Sequence, residues 1–158
     1  MKIYLAGPVI TDNEEIKRQM DTLSDAIEFM DLPHENVNLY RPGYHKVPNA
    51  WGIDMQTWAQ CVFTMDVIAI NECDWMVVAD YGRQATAGTA WECGYAFAKG
   101  VKILVIQMPG VKESSLMTQG CAANICKYED FINSNKDDVR FESFFFERGR
   151  KTSKIILN

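Results

Sequence analysis

The sequence has little histidine and no paired cysteines, and both shortages limit the chemistry open to it. Its five cysteines form an odd set with no C-x-x-C pair, which argues against a disulfide framework and against a zinc site. The two histidines, His34 and His45, have proline and glycine neighbours, a context that favours exposed loop residues over catalytic ones. Acid and base chemistry therefore falls to carboxylates, and we expect no metal site.

Long apolar runs and a surplus of positive charge are also missing. No uncharged apolar stretch approaches the ~20 residues that span a membrane, and the first residues do not have the pattern of a secretory signal. Sixteen lysines and arginines against 21 aspartates and glutamates give a net charge of −5, which opposes binding to polymeric nucleic acid. We expect a cytoplasmic protein without membrane or nucleic-acid partners, folded as a single domain over residues 1–158.

What the chain does contain is an alternation of strand and helix patterns. Short apolar segments predict strands at 2–6, 36–40, 75–79, 101–107 and 124–128. Apolar residues at 3.6 spacing predict helices between them, the first capped by Thr11, Asp12 or Asn13 and a later one running from near Thr89 to Lys99. The fold class is predicted as α/β, a three-layer doubly wound, flavodoxin-like sandwich with a five-stranded parallel sheet.

One of these helices, predicted from about Ile53 to Asn71, is unusually apolar. Several of its residues are predicted to face inward; they are Met55, Trp58, Ala59, Val62 and Met65. Asp66 follows this group near the end of the helix, and a carboxylate among apolar neighbours needs partners or has a raised pKa. The alternative is a solvated aspartate at a helix end.

Glu92 is the candidate working residue. It lies in a helix entered from a loop of threonine, alanine and glycine, directly after the strand predicted at 75–79, where open α/β folds bind small molecules. The alternative is structural, because Thr89-Ala90-Trp91-Glu92 also fits a capping box. The loop has only small side chains, and a glycine, Gly94, follows closely in the helix. Both favour a functional role for Glu92, since capping requires neither.

Tyr4 is predicted to lie on the first strand, beside the strand that precedes Glu92. A phenol there can orient a carboxylate, although a core tyrosine with a satisfied hydroxyl fits the sequence equally well. Two carboxylates, one nucleophilic and one acidic, can cleave a glycosidic bond through a covalent glycosyl ester. The leaving group here would be a purine or pyrimidine base.

At these residues the chain resembles the nucleoside 2-deoxyribosyltransferase family. The similar segments are the opening Lys2-Ile3-Tyr4-Leu5-Ala6-Gly7-Pro8, the stretch Asp66-Val67-Ile68-Ala69-Ile70 with Cys73-Asp74, and Gly88-Thr89-Ala90-Trp91-Glu92-Cys93-Gly94-Tyr95-Ala96. Ser115-Leu116-Met117 resembles the N-L-M segment of the family, and residues 139–147 are similar to the tail of some members. The match around Glu92 is the most specific of these.

The resemblance implies a role for each matched residue. Glu92 would be the nucleophile that carries the deoxyribosyl ester, Tyr4 would orient it, and Asp66 would assist at the sugar and base. Gly7 and Gly88 would line the substrate site. Family members are oligomers that share active sites, so Ser115 and Met117 would act on a neighbouring subunit. The implied partners are a deoxyribonucleoside or deoxyribonucleotide and a free nucleobase, in nucleotide salvage, with no cofactor.

Two positions depart from the transferase pattern. Thr86 stands where the family usually has aspartate, and Ser115 stands for the asparagine of N-L-M. Hydroxyls at both positions are similar to the 2′-deoxynucleoside 5′-monophosphate N-hydrolases, where such groups donate to the phosphate, so hydrolysis of a monophosphate is the alternative function. A non-enzymatic nucleotide-binding module is a third interpretation, disfavoured because residues 4–9 carry neither paired acids nor a phosphate loop.

Overall fold

The computed structural model describes residues 1–9, 12–29, 36–82, 87–134 and 143–145. Thr86 and residues 139–142 and 146–147 of the tail segment lie outside this part of the chain. The elements are β1 (Lys2–Ala6), α1 (Glu14–Glu28), β2 (Asn38–Tyr40), a short 3₁₀ turn (Ala50–Gly52), α2 (Met55–Glu72), β3 (Trp75–Asp80), α3 (Ala87–Ala98), β4 (Lys102–Gln107), α4 (Leu116–Cys121), β5 (Asn124–Lys127) and α5 (Tyr128–Ser134).

The five strands form one sheet in the order β2-β1-β3-β4-β5, and each strand pairs with its neighbours in parallel. This confirms the predicted five-stranded parallel sheet and the pairing of β1 with β3. The chain leaves β1 for β2 on one side and then crosses to β3 on the other. Such a reversal opens a crevice outside the carboxyl ends of β1 and β3, where ligands of this fold class bind.

Helices cover both faces of the sheet, as predicted for a three-layer sandwich. On one face, Leu23 of α1 and Phe131 of α5 share a buried cluster with Leu5. On the other face, Ile70 of α2 and Cys93 of α3 share a buried cluster with Tyr4 and its strand neighbours. Because side chains alternate along a strand, Tyr4 points towards α2 and α3 whereas Leu5 points towards α1.

The ends of the helices follow from local sequence. Of the three predicted caps, Asn13 is the one used, since its side-chain oxygen accepts hydrogen bonds from the backbone N–H groups of Glu15 and Ile16 at 3.0 and 3.2 Å. The turn after α3 passes through Gly100 at φ 77°, a left-handed conformation that favours glycine. The helix therefore stops where the sequence predicted.

The prediction for the apolar face of α2 is wrong for its first turns. Met55 is 76% exposed and Trp58 37% exposed, and Ala59 is also exposed. Ile70 is the one residue of α2 that is buried within the chain. An apolar helix pattern does not distinguish packing against the molecule's own core from a surface that awaits another partner.

Candidate active site

Glu92 is the sixth residue of α3, because the helix begins at Ala87. The predicted start near Thr89 is two residues late, so Glu92 lies in the second turn and not at the third position that the acid of a capping box occupies. Its side chain is 8% exposed. The Oε1 atom of Glu92 accepts a hydrogen bond from the Tyr4 hydroxyl at 2.7 Å. The carboxylate is therefore directed at the sheet.

Tyr4 is fully buried on β1, between the strands that hold Tyr40 and Met76 at the same level. Burial raises the pKa of Tyr4, and the neighbouring Glu92 charge raises it further. The phenol therefore remains a neutral hydrogen-bond donor at every pH of interest. Its bond to Glu92 links β1 to α3, the two elements that the sequence predicted to meet at this edge.

Burial is also the largest influence on Glu92. It raises the pKa of the carboxyl from 4.5 to about 7, while the hydrogen bond from Tyr4 lowers it and the nearby Asp66 charge raises it. A carboxyl with this pKa exchanges its proton near neutral pH. Such a shift is typical of a functional carboxylate, since one that only capped a helix would be stabilised as the anion.

Asp66 of α2 is half-buried on the same face of the sheet. Its Oδ1 accepts a hydrogen bond from the Tyr40 hydroxyl at 3.0 Å. Burial raises the pKa of Asp66, against the Tyr40 hydrogen bond and the charge of His45, which both lower it. The charge of Asp66 acts on both Tyr4 and Glu92. The structure therefore brings together the three residues predicted as catalytic, with the acid of α2 facing the acid of α3.

Tyr40 and His45 belong to this cluster, and the sequence analysis missed both. The Tyr40 ring stacks on Tyr4 with centroids 5.3 Å apart, and His45 stacks on Tyr40 at 4.4 Å with an interplanar angle of 4°. His45 is exposed, as predicted, but its ring completes the stack; His34 lies outside the described residues. The sequence showed only that Tyr40 ends a predicted strand; its pairing with Tyr4 is seen in the structure.

Gly7 follows β1 at the edge of the sheet where the carboxylates lie. A Cβ at this position would lie 2.8 Å from the Met20 Cε and 3.2 Å from the Ala79 Cβ, closer than side chains normally approach. A side chain at this position would therefore require the end of Met20 to move and Ala79 to shift slightly. Gly88, in the first turn of α3, is exposed. Contact of either glycine with substrate stays a prediction.

Ser115 and Met117 lie at the beginning of α4. The Ser115 Oγ caps α4, accepting from the Thr118 N–H at 3.1 Å and sharing a 2.7 Å hydrogen bond with the Thr118 hydroxyl. Met117 is 78% exposed. It lines a cavity of about 360 Å³ between α3 and α4, whose lining includes neither Glu92 nor Tyr4. Within one chain, the α4 residues are not part of the acid pair.

Two further findings concern the described residues as a whole. No group of three or more histidine, cysteine, aspartate or glutamate side chains among them could hold a metal ion. No helix in the described part of the chain is both long and apolar enough to cross a membrane.

The chain is similar to known proteins both in sequence and in fold. Residues 3–125 match the family model described as nucleoside 2-deoxyribosyltransferase. A 2-deoxyribosyltransferase structure from Bacillus psychrosaccharolyticus is 23% identical, covers 84% of this chain and 91% of its own, and superposes with a TM-score of 0.69.

Two other solved structures share the fold. A conserved protein from Enterococcus faecalis V583 is 20% identical over 86% of this chain and 97% of its own, with a TM-score of 0.66. The CMP N-glycosidase BcmB of Clostridium botulinum is 17% identical over 86% and 99%, with a TM-score of 0.57. A search of curated protein sequences gives no significant match. At these identities the superpositions establish the flavodoxin-like architecture alone.

Proposed function

The chain belongs to the nucleoside 2-deoxyribosyltransferase family, and on that premise we propose that it cleaves the N-glycosidic bond of 2′-deoxyribonucleosides and passes the deoxyribose to another base. The observation that carries the proposal is the buried Glu92, bonded to Tyr4 at 2.7 Å and facing a second acid. Nucleophile, orienting donor and acid are then all supplied by side chains of one crevice, and the reaction needs no cofactor.

The reaction proceeds in two displacements at C1′ of the sugar. In the first, a Glu92 oxygen forms a bond to C1′ as the C1′–N bond breaks; the electron pair of that bond goes to the leaving base, which takes a proton from Asp66. In the second, a nitrogen of the incoming base attacks C1′, gives its proton to Asp66 and releases the Glu92 carboxylate. The enzyme ends each cycle with its starting protons.

Tyr4 holds the Glu92 carboxylate in place and favours its ionised form. The reactive form of the acid pair carries one proton, on Asp66, with Glu92 ionised. This is the less populated arrangement of the singly protonated pair, because the charge of Asp66 raises the pKa of Glu92 and the proton lies mainly on Glu92 below pH 7. Because Glu92 has a pKa of about 7, the second proton is lost from the pair near that value. We therefore expect kcat/KM to be bell-shaped in pH and to fall as pH rises through about 7.

We further propose that the active unit is a homo-oligomer with shared active sites, in which Ser115 and Met117 reach the crevice of a neighbouring subunit. Large apolar side chains are exposed along α2, α3 and α4; they are Met55, Trp58, Phe63, Trp91, Phe97, Leu116 and Met117. A monomeric protein usually exposes large apolar side chains singly. Seven of them on three helices fit a contact between copies of the chain. Light scattering would test it, with Phe63→Glu expected to reduce the mass of the particle.

The substrate is a deoxyribonucleoside with a free nucleobase as acceptor, which places the protein in nucleotide salvage. The alternative substrate, a deoxynucleoside 5′-monophosphate cleaved to free base, would require the Ser115 hydroxyl to donate to a phosphate while it caps α4. None of the five cysteines, all of which the structure describes, forms a disulfide, which supports a reducing compartment such as the cytoplasm.

The test is incubation of the protein with a 2′-deoxynucleoside and a second free base, followed by chromatography of the products. A new deoxynucleoside supports the transferase, whereas free base released from a monophosphate alone would support the hydrolase. If neither the deoxynucleoside nor the monophosphate gives a product, a binding module would be favoured. Glu92→Ala should abolish either activity, and Glu72→Gln, which changes an exposed acid at the end of α2, should retain it.

A further inference from the structure

The candidate site contains two tyrosine–carboxylate pairs that lie side by side. Tyr4 of β1 donates to Glu92 of α3 at 2.7 Å, and Tyr40 of β2 donates to Asp66 of α2 at 3.0 Å. The two tyrosines occupy matching positions on paired parallel strands, and their rings stack at 5.3 Å with an angle of 22°. Strand pairing therefore fixes one pair relative to the other.

Tyr40 has little freedom to turn its hydroxyl elsewhere. Its ring lies between Tyr4 on one side and His45 on the other, with the His45 ring nearly parallel at 4.4 Å. Stacked aromatic rings resist rotation because each neighbour would lose its contact. The hydroxyl is consequently directed at the Asp66 carboxyl by packing on both faces of the ring.

We propose that Tyr40 is a positioning residue for the reaction: its hydroxyl holds the Asp66 carboxyl towards Glu92, and its ring, stacked on Tyr4, keeps Tyr4 aligned. The inference rests on the proposed function, since it assigns Asp66 the proton of the leaving base. Tyr40 itself touches neither C1′ nor the base in this scheme. It acts through the direction and the proton affinity of Asp66.

The groups that face Asp66 come from every neighbouring element. They are Tyr40 at the end of β2, His45 in the loop that follows, Tyr4 on β1 and Glu92 on α3. Burial raises the pKa of Asp66, and the Tyr40 hydrogen bond lowers it. Loss of the hydroxyl would therefore raise the pKa of Asp66 further, because the ionised carboxylate would lose a donor.

The experiment compares Tyr40→Phe, which keeps the ring and removes the hydroxyl, with Tyr40→Leu, which removes both. Tyr40→Phe should lower kcat roughly tenfold or more with little change in KM, since the acid is misdirected while substrate contacts remain. The acid limb of the pH profile should move to higher pH. Tyr40→Leu should lose more, because the stack is also lost. Tyr95→Phe, which removes a hydroxyl bonded to Asn71 on the surface of α2 and α3, is the matched control and should match the wild type.

A second readout separates this inference from the proposed function. Titration of the Asp66 carboxyl carbon by NMR, with and without Tyr40→Phe, should show the pKa moving upward, whether or not the protein turns over deoxynucleosides. If wild-type protein is inactive on every deoxynucleoside, the proposed function fails and the titration still decides whether Tyr40 controls Asp66. An active wild type with an unchanged acid limb and an unchanged Asp66 titration in Tyr40→Phe would overturn the inference and leave the function standing.

Discussion

Asp54 and Glu92 both lie near the beginning of a helix, yet the two carboxylates are used in opposite ways. Asp54 is exposed and caps α2: its two oxygens accept from the Thr57 N–H at 3.0 Å and from the Thr57 hydroxyl at 2.6 Å. Those hydrogen bonds lower the pKa of Asp54. Glu92 is buried, bonds to a tyrosine of another element, and has its pKa raised to about 7.

The contrast separates a structural acid from a reactive one. A capping carboxylate is stabilised as the anion, so its charge strengthens the fold. Glu92 is withdrawn from the helix terminus and desolvated, so its charge weakens the fold and is available for chemistry. Glu92 does not take the capping role that the sequence allowed for it on α3. Asp54 shows what a capping carboxylate looks like, on α2.

The largest expected effect is on turnover. Glu92→Gln should lower kcat by roughly 10³-fold or more, because the amide keeps the shape of the side chain but cannot act as the nucleophile. Asp54→Ala should leave kcat within about twofold, since a cap does not touch the reaction. Steady-state kinetics of both variants checks this, and equal losses would remove the distinction between the two acids.

The same substitution should stabilise the protein. Since the pKa of Glu92 rises from 4.5 to about 7 on folding, the ionised form costs on the order of 3 kcal/mol above pH 7, with each unit being about 1.4 kcal/mol. The native state binds the extra proton, so wild-type stability falls as pH rises between these two values. Denaturant unfolding of Glu92→Gln should show a gain at pH 8 that shrinks towards pH 4, and a loss at pH 8 would contradict the assignment.

Tyr4→Phe should have an intermediate effect. Removing the hydroxyl leaves the ring stack in place but deletes the bond that lowers the pKa of Glu92. We expect a roughly 10- to 100-fold fall in kcat and an alkaline limb that moves to higher pH. The limb that moves distinguishes the two tyrosines, because Tyr40→Phe is expected to shift the acid limb instead. A pH profile identical to wild type would show that Tyr4 serves packing only.

The smallest effect is expected at the cap itself. Asp54→Ala should lower the thermal midpoint modestly at neutral pH, because the first turn of α2 loses its side-chain acceptor. The pKa of Asp54 is lowered on folding, so its contribution is present above 3.8 and is lost as pH falls through the folded value. Thermal unfolding at pH 7 and at pH 2 should therefore show a difference that disappears in acid. A difference that persists in acid would mean that the cap does not depend on charge.

Much of this arrangement could be predicted from the sequence, because parallel strands end at a common edge. That rule alone brings Tyr4 and Glu92 together, and the apolar sequence neighbours of Asp66 indicate a carboxylate that needs partners or has a raised pKa. Tyr40 was missed because its role depends on the register between β1 and β2, which no local pattern encodes. His45 was missed for a related reason, since a loop residue's stacking partner is a tertiary contact.

The remaining errors also have physical causes. The apolar pattern of α2 predicted an inward face, but apolar residues pack equally well against another copy of the chain, and Met55 is exposed here. The start of α3 was placed late because small residues such as Ala87 and Gly88 are permissive of loop and helix alike. A hydroxyl such as that of Ser115 can serve a helix cap or a ligand, and sequence does not separate the two.

The most direct test of the account is to look for the ester on Glu92. The protein is mixed with a 2′-deoxynucleoside in the absence of any acceptor base, quenched in acid and digested, and the peptides are weighed by mass spectrometry. The account predicts a deoxyribosyl group on the peptide that carries Glu92, absent from Glu92→Gln and lost from the wild type when an acceptor base is added before the quench. Release of base with the Glu92 peptide unmodified, or with the sugar attached to another residue, would contradict it.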